Sequence, residues 1–492
     1  MERATDGPAA RPFIDALKPA ERDDAVASEG AYPGGGPQDE EDLARKRRRN
    51  VRLCMWMGLA STLFMQAAVG PFLDIYMFKV SGSNRLVGAV ESVRGVAQIV
   101  AAPLLGTLAD RVDRYRLARI QAITRAIPVA LLAVVVATDA HQFLFLVMPL
   151  LAVSSHLGDT VRQALLVDNL RDGPGRTKAM STSFSLKYIG TAAGPVLQIL
   201  VLYCVGGLGV GGDGAKDAWQ LSELRLALVA GCLTYLIGDP VSLFFCPVPA
   251  LDGSLAASPT PGSVREVRAA SSTSQAEESG AASPAEDWRQ DVVLRCCCGG
   301  ARKMWAIPIL IEVTFAVIIL GSGLSVKFFP LYFTHEFSLS PLGLCALNIA
   351  EPLGVAVLAQ ANSGVARRIG RAPYAAILIA IASSALLGVA LSSSMAVVAP
   401  IFILRTATGR SYIPLFQSIV ATCVPPEHRG KFAAMHAFRM SFFSASAFIG
   451  SYLADTYHSY RPAFLVTAVW QLCCVLLFLP VVAWMPKGAR DE

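Results

Sequence analysis

The sequence predicts an all-helical membrane protein whose twelve transmembrane helices form two pseudo-symmetric bundles of six. Its composition is 53% hydrophobic and 16% charged, whereas charged residues make up about 25% of a soluble domain. The apolar residues come in blocks of about 20, the length at which a helix crosses a bilayer. Similar polar turns recur at corresponding block ends in the two halves, which indicates an internal repeat.

Twelve apolar blocks follow one another along the chain, and we call them spans 1 to 12. The first six cover residues 51–78, 86–108, 117–138, 143–167, 179–204 and 224–246. The second six cover residues 304–328, 342–360, 374–391, 396–422, 432–453 and 462–484. These blocks predict a first bundle over 51–246 and a second bundle over 303–484.

Three further segments lack apolar periodicity. Residues 1–50 predict a disordered tail with acidic residues and no apolar core, which excludes a secretory signal. Residues 247–302 are rich in Ser, Ala, Glu and Pro and predict a disordered linker between the bundles. Residues 485–492 predict a short second tail.

The distribution of basic residues predicts the orientation. With both termini in the cytoplasm, the cytoplasmic segments next to the spans hold 26 basic residues and the opposite loops hold 6. Cytoplasmic loops carry the excess of Lys and Arg in membrane proteins. We therefore expect a multi-pass protein with both termini in the cytoplasm, and the type of membrane stays open.

The turn after span 2 carries a motif. Residues 106–116 read GTLADRVDRYR, and residues 362–373 after span 8 read NSGVARRIGRAP, which places Arg368 and Arg371 where the first copy has Arg111 and Arg114. The first run resembles the signature of the major facilitator superfamily, a family of twelve-helix transporters. Asp113 and Tyr115 depart from that signature, which has Gly and a basic residue there.

The resemblance implies a gate at the cytoplasmic side. In that family the motif lies near the start of span 11, here around Lys431, where free N–H groups of a helix favour an anion. The alternative is that these arginines only set the topology. The expected gate residues are Gly106, Asp110, Arg111, Arg114, Arg368 and Arg371.

Span 5 carries a second motif, Gly190-x-x-x-Gly194-Pro195. It resembles the antiporter-associated motif of the same superfamily, although the trailing glycines of that motif are replaced by Val196, Leu197 and Gln198. The subfamily stays open.

Charged residues inside the spans are the candidate substrate and coupling residues, because a charge at the centre of a membrane helix costs roughly 2.5–3.5 kcal/mol. Four of them fall near mid-depth, Arg94, Glu312, Glu351 and Arg405, and Glu91 lies one turn above Arg94 as a fifth candidate. Glu91 and Arg94 are spaced to pair within span 2, and the repeat makes Glu351 the counterpart of Arg94. The alternative interpretation is a structural network of ion pairs without substrate contact.

The two types of charge predict different roles. A carboxylate in a cavity of low dielectric constant takes up and releases a proton more easily near neutral pH than one in water, so Glu312 and Glu351 are the candidates for proton coupling. Arginine stays charged, so Arg94 and Arg405 are expected to hold an anionic group or to restrain a carboxylate. Other charges lie nearer the span ends and are expected to be gate or snorkelling residues, among them Asp159, Arg162, Lys187, Asp239 and Arg439.

Several other signals point to no separate site. The 11 cysteines show neither paired nor metal-ligand spacing, so we expect no metal and no cofactor. Cys296, Cys297 and Cys298 precede span 7, where juxtamembrane cysteines are candidates for lipidation. The basic residues behind the net charge of +6 lie at the ends of the apolar blocks, where they set the membrane orientation. No nucleic-acid partner is therefore expected.

The sequence therefore predicts a secondary active transporter that moves a small polar organic solute by alternating access, with protons as coupling ion. We expect it to work in the lipid bilayer as a monomer and not to be an enzyme, since nothing combines a nucleophile with a base. The alternative is a non-transporting receptor or scaffold that retains the transporter fold.

Overall fold

The computed structural model describes residues 37–170, 174–205, 219–249, 292–296, 299–424 and 442–485. Within these residues, ten helical segments are long and apolar enough to cross a membrane. Helices dominate the described chain, and the predicted fold of two six-helix bundles is confirmed. The end of the bundle at which span 1 begins is called the terminal side, and the other end the distal side.

The first half contains spans 1 to 6, several of which are interrupted. Span 1 is Pro37–Ala68 and Pro71–Ser81, span 2 is Asn84–Arg111, span 3 is Arg114–Thr138, span 4 is His141–Phe143 and Leu144–Asp168, span 5 is Pro174–Val205, and span 6 is Leu221–Leu233, Thr234–Ile237 and Asp239–Phe244.

The second half contains spans 7 to 12. Span 7 is Lys303–Gly323, Val326–Phe328 and Phe329–Glu336, span 8 is Pro341–Ile369, span 9 is Arg371–Leu391, span 10 is Met395–Ser411 and Ile413–Cys423, the described part of span 11 includes Ala447–Tyr457, and span 12 is Arg461–Trp484. The predicted first residues of span 11 lie outside the described residues, as do 1–36, most of the linker and 486–492.

The first helix begins at Pro37, so the predicted boundary between a disordered tail and span 1 at residue 50 is wrong. Proline at the first helical position has the backbone angle of a helix already. Asp39 and Glu40 in the first turn favour the positive end of the helix dipole. Asp42 and Lys46 form an ion pair one turn apart. These local interactions start the helix before its apolar part.

Two of the interrupted spans break next to a proline. Span 1 breaks before Pro71, because proline has no N–H to continue the hydrogen-bond ladder. Span 10 breaks at Tyr412, two residues before Pro414. A membrane bundle tolerates such breaks where neighbouring helices satisfy the freed backbone groups.

The end of the linker contains a small hairpin, which the prediction of a disordered segment missed. Strands β1 (Val292–Cys296) and β2 (Gly299–Arg302) pair in antiparallel fashion. β1 is short and rich in Val and Leu, a composition that favours strands. It comes directly before span 7, so the chain enters the second bundle through an ordered segment.

The two halves meet along two pairs of spans, span 2 with span 11 and span 5 with span 8. Glycine allows the first pair to approach closely: a Cβ added at Gly95 would lie 2.5 Å from the backbone nitrogen of Ala445. On the distal side the core is continuous across the halves and includes Phe72 and Tyr76 of span 1 together with Phe329 and Tyr332 of span 7. This interface encloses the candidate site.

Candidate functional site

A buried group of four charges joins the halves on the distal side. Nη1 of Arg94 lies 3.2 Å from Oε2 of Glu91, so the predicted pair within span 2 is confirmed. Nζ of Lys327, on span 7, lies 3.2 Å from the same Glu91 oxygen and 3.6 Å from Oδ1 of Asp74. The hydroxyl of Ser444, on span 11, donates to Oε1 of Glu91 at 2.6 Å. We call Asp74, Glu91, Arg94 and Lys327 the distal charge cluster.

The sequence analysis counted Lys327, at the end of predicted span 7, among the six basic residues of the distal side and missed its role in this cluster. Its side chain is mostly buried because span 7 continues past it into Phe329–Glu336. The sequence did contain one indication of this cluster. Asp74 lies near the distal end of span 1, and a carboxylate inside a span needs a cation as its partner.

A second contact between the halves lies at the distal end of span 2. The carboxylate of Asp455, on span 11, accepts hydrogen bonds from the Ser83 hydroxyl at 3.0 Å and from Nδ2 of Asn84 at 2.8 Å. It also accepts from the backbone N–H groups of Asn84 and Arg85. A carboxylate of the second half thus caps the first turn of a helix of the first half, where N–H groups lack partners within the helix.

Deeper in the protein, span 8 and span 10 carry an ion pair. Nη2 of Arg410 lies 2.9 Å from Oε1 of Glu351. The Arg410 side chain is 40% exposed although it lies in the middle of its span. Tyr188 of span 5, in the first half, is close enough to interact with both residues. Glu351 and Arg410 therefore lie at the interface between the halves.

The first half contributes a matching group on spans 4 and 5. Oδ1 of Asp159 lies 3.1 Å from Nζ of Lys187 and 3.3 Å from Nη2 of Arg162. Arg162 is buried and also donates to the Ser183 hydroxyl at 3.2 Å. The Asp159 side chain is 48% exposed.

These exposed charges indicate an interior space open to water. Asp159 and Arg410 lie several turns from the ends of their spans, where a charge facing lipid is very costly. Span 5 contributes to both groups of charges. Lys187 pairs with Asp159 of the first half, and the next residue, Tyr188, interacts with Arg410 of the second half. We call Asp159, Lys187, Glu351, Arg405 and Arg410 the central charge group.

Arg405 differs from the other arginines of this group. It is 9% exposed, and its guanidinium lies over the ring of Phe329, 5.2 Å from the ring centre. Glu351 and Arg410 are near enough to act on it electrostatically, but Arg405 forms no ion pair with any residue that the structure describes. Glu312, on span 7, is buried.

The structure does not pair Arg94 with Glu351, the two residues that the repeat relates. Each has a different partner, Glu91 for Arg94 and Arg410 for Glu351. Conversely, Asp159 and Lys187 belong to the interior space, although the sequence suggested gate or snorkelling roles. The two related residues have different partners because span 2 carries a carboxylate, Glu91, one turn away from Arg94.

A further buried pair lies within the first half. Nη1 of Arg125 on span 3 lies 2.7 Å from Oδ2 of Asp239 on span 6, and the two side chains are 1% and 4% exposed. The ring of Phe64 lies 5.1 Å from the guanidinium carbon. This pair binds spans 1, 3 and 6 together and is closed to solvent.

Two of the expected gate residues, Arg114 and Arg371, have partners within their own halves. Arg114 pairs with Asp168 of span 4, and Arg371 donates to the hydroxyls of Ser418 and Thr422 of span 10. Each of these two arginines thus has an acceptor on an adjacent span of its own half. Arg368 is exposed.

The departure at Asp113 has a local explanation. Its carboxylate accepts a hydrogen bond from the backbone N–H of Arg116 at 2.8 Å and so caps span 3. Gly106, Asp110 and Arg111 lie in the last turns of span 2. Their side chains lie outside the described part of the structure, as do Lys431, Arg439 and the side chains of Cys296, Cys297 and Cys298.

The span 5 motif packs spans 5 and 1 together. A Cβ at Gly190 would lie 2.2 Å from the carbonyl oxygen of Leu59, and one at Gly194 would lie 2.7 Å from Cβ of Gln66. Small residues four apart allow membrane helices to approach closely. Pro195 follows inside the helix.

Comparisons with known proteins agree with this architecture. The family model of the Major Facilitator Superfamily matches residues 55–300. The multidrug resistance protein MdtG of Rahnella sp. is 27% identical over 180 residues, which are 34% of this chain and 42% of that protein. The chain thus spans less than half the length of this curated relative.

Solved structures show the same fold over nearly the whole chain. A mutant of the nucleoside transporter NupG has a TM-score of 0.60 at 12% identity and covers 88% of this chain and 99% of its own. The human organic anion transporter MFSD10 has a TM-score of 0.54 at 17% identity and covers 90% of this chain and all of its own (100%). With half of the chain matched by the family model and two six-helix bundles around a charged interior, this chain is a multi-pass membrane protein of the major facilitator superfamily.

Proposed function

We propose that this protein is a secondary active transporter that moves a small polar organic solute by alternating access and is coupled to protons. The central charge group is the main support. Spans 4 and 5 of one half and spans 8 and 10 of the other bring charged side chains to one interior space. A receptor or scaffold would gain nothing from the cost of burying them.

The proposed cycle separates the halves on the distal side. There the Asp455 cap and the distal charge cluster join spans 2 and 11 and spans 2 and 7. Trp219 of the first half also donates to the carbonyl oxygen of Leu339 at 2.9 Å. Opening toward the distal side must break these contacts, and closing must form them again.

Glu351 is the residue through which we propose proton coupling. While ionised it neutralises Arg410 at 2.9 Å. Protonation removes that charge and leaves the guanidinium available to another acceptor. Binding of a proton and binding of solute are then linked through one ion pair. Glu312, buried on span 7, is the second candidate.

The orientation and the assembly complete the proposal. The excess of basic residues in the terminal-side segments supports termini in the cytoplasm. Both halves of the interior space come from one chain, so a monomer is sufficient. Names of the solved relatives include nucleoside and organic anion transporters, which supports transport but not one solute.

The test is solute uptake by the full chain in proteoliposomes over a panel of metabolites, with and without a pH gradient. We expect a gradient to increase uptake in the wild type and not in Glu351→Gln or Glu312→Gln. Glu336→Gln is the control, since Glu336 pairs with Arg461 at the distal surface. If both interior variants keep the full pH dependence, the coupling assignment is wrong, and if no solute crosses, the transport proposal fails.

A further inference from the structure

We infer that the transported solute carries an anionic group, a carboxylate or a phosphate, which binds to Arg405 and Asn348 in the second half. This inference rests on the proposed function and adds the charge class of the solute. It follows from donors on spans 8 and 10 that lack acceptors among the residues the structure describes.

Arg405 is the first of these donors. It is more than nine-tenths buried, and no carboxylate among the described residues pairs with it. An unpaired guanidinium in a protein interior is strongly unfavourable. An anion bound in the cavity removes this free-energy cost. Without the anion, other interactions of the fold must offset it.

Phe329 determines how the guanidinium can bind. The ring lies 5.2 Å from the guanidinium carbon and covers one face of the group. The N–H donors lie in the plane of the guanidinium, so stacking leaves them free. Two such donors match the two oxygens of a carboxylate or a phosphate.

Asn348 supplies a second donor from the neighbouring span. Its side chain is 8% exposed, and its Nδ2 atom has no hydrogen-bond partner among the described residues. It precedes Glu351 by three residues and so lies on the same face of span 8. Spans 8 and 10 pack against each other. A buried N–H without an acceptor also costs free energy.

The charges of the central group favour an anion as well. Arg405 and Arg410 face one carboxylate, Glu351, in the second half. In the first half Arg162 and Lys187 share Asp159. The central charge group holds three cations and two carboxylates, Glu312 not counted, and this excess positive charge attracts an anion and repels a cation in a cavity of low dielectric constant.

The inference is tested by ligand-induced thermal stabilisation of the purified full chain. The probes are acids with their neutral counterparts: lactate with lactamide, nicotinate with nicotinamide, glutarate with glutaramide, and glycerol phosphate with glycerol. We expect at least one acid to stabilise the wild type more than its counterpart, and the pair that does so distinguishes carboxylate from phosphate.

Variants separate the site from general effects of folding. Arg405→Gln is expected to weaken binding of that acid roughly tenfold or more, the value of a hydrogen bond to a charged group. Arg405→Lys keeps the charge and is expected to keep part of the preference, so loss of folding cannot mimic the result. Arg47→Gln is the matched control, because Arg47 is buried at the start of span 1 and bonds the carbonyl oxygen of Pro249.

Each result decides the inference separately from the transport proposal. Equal stabilisation by acids and neutral counterparts, or a preference retained in Arg405→Gln, overturns the anion site. Uptake of neutral solutes that Arg405→Gln leaves unchanged keeps the transport proposal and rejects the anion site. An acid preference that depends on Arg405, without uptake of any solute, keeps the anion site and rejects transport.

Discussion

Charged side chains inside the spans follow two patterns. Some are paired and closed to solvent, as Arg125 and Asp239 are. Others are partly exposed in the middle of a span, as Asp159 and Arg410 are. The Arg125–Asp239 pair ties helices of one half together, whereas Asp159 and Arg410 line the space between the halves. Exposure combined with depth therefore separates structural charges from candidate transport charges.

The Arg125–Asp239 pair gives a prediction at this scale. Replacing Arg125 with Met leaves a buried carboxylate without a partner, and we expect a loss of about 3–5 kcal/mol of stability. The double variant Arg125→Met with Asp239→Leu removes both charges and is expected to recover most of that loss. Thermal unfolding in detergent measures both. A double variant as unstable as the single one contradicts the assignment of a self-contained pair.

At the scale of elements, helix ends connect the two halves. Span 2 has its N-terminus capped by Asp455 of span 11, and it carries Glu91, which contacts Lys327 of span 7 and Ser444 of span 11. One helix of the first half therefore carries both the cap and the cluster that join the halves on the distal side. The cap and the cluster are about two turns apart on the same span.

Removing the cap tests this closure. Asp455→Ala leaves the N–H groups of Asn84 and Arg85 without their acceptor, at a cost of about 1 kcal/mol. We expect faster hydrogen exchange in peptides covering residues 83–95 and 444–457. Glu336→Ala is the control, because the partners of Glu336, Ser459 and Arg461, lie in the same half. Equal exchange in both variants contradicts a role of Asp455 in holding the halves together.

At the scale of the whole molecule, twelve spans, an even number, predict both termini on one side of the membrane. The distribution of basic residues predicts that this side is the cytoplasm. Epitope tags at the two termini are expected to become accessible together when only the plasma membrane is permeabilised. A tag that needs full permeabilisation, at either end, refutes the orientation.

How much of the fold the sequence predicts depends on how local each signal is. The span 4 block 143–167 is close to the observed Leu144–Asp168, because an apolar run and its polar ends define a helix by themselves. The start of span 1 was misjudged by 14 residues, since Pro37 and the acidic first turn continue the helix through polar residues. Hydropathy does not register a helix that extends beyond the membrane.

The candidate site divides in the same way. Glu91 and Arg94 are one turn apart, so their pairing is visible in the sequence. Glu351 with Arg410 and Lys327 with Glu91 join different spans. The partner of a charge across an interface depends on helix rotation and on breaks such as the one in span 7, which spacing along the chain does not report.

Composition, block length and charge distribution by themselves determined a membrane protein of two six-helix halves, because the bilayer requires each span to be apolar and to satisfy its backbone internally. Tertiary structure alone decided which charges are closed pairs and which face the interior. Among the described residues it placed Arg405 over Phe329 with no carboxylate in an ion pair with it, and it placed Asp455 on the end of span 2. Pairing across an interface depends on how helices pack in three dimensions, and burial then sets the free energy of each charge.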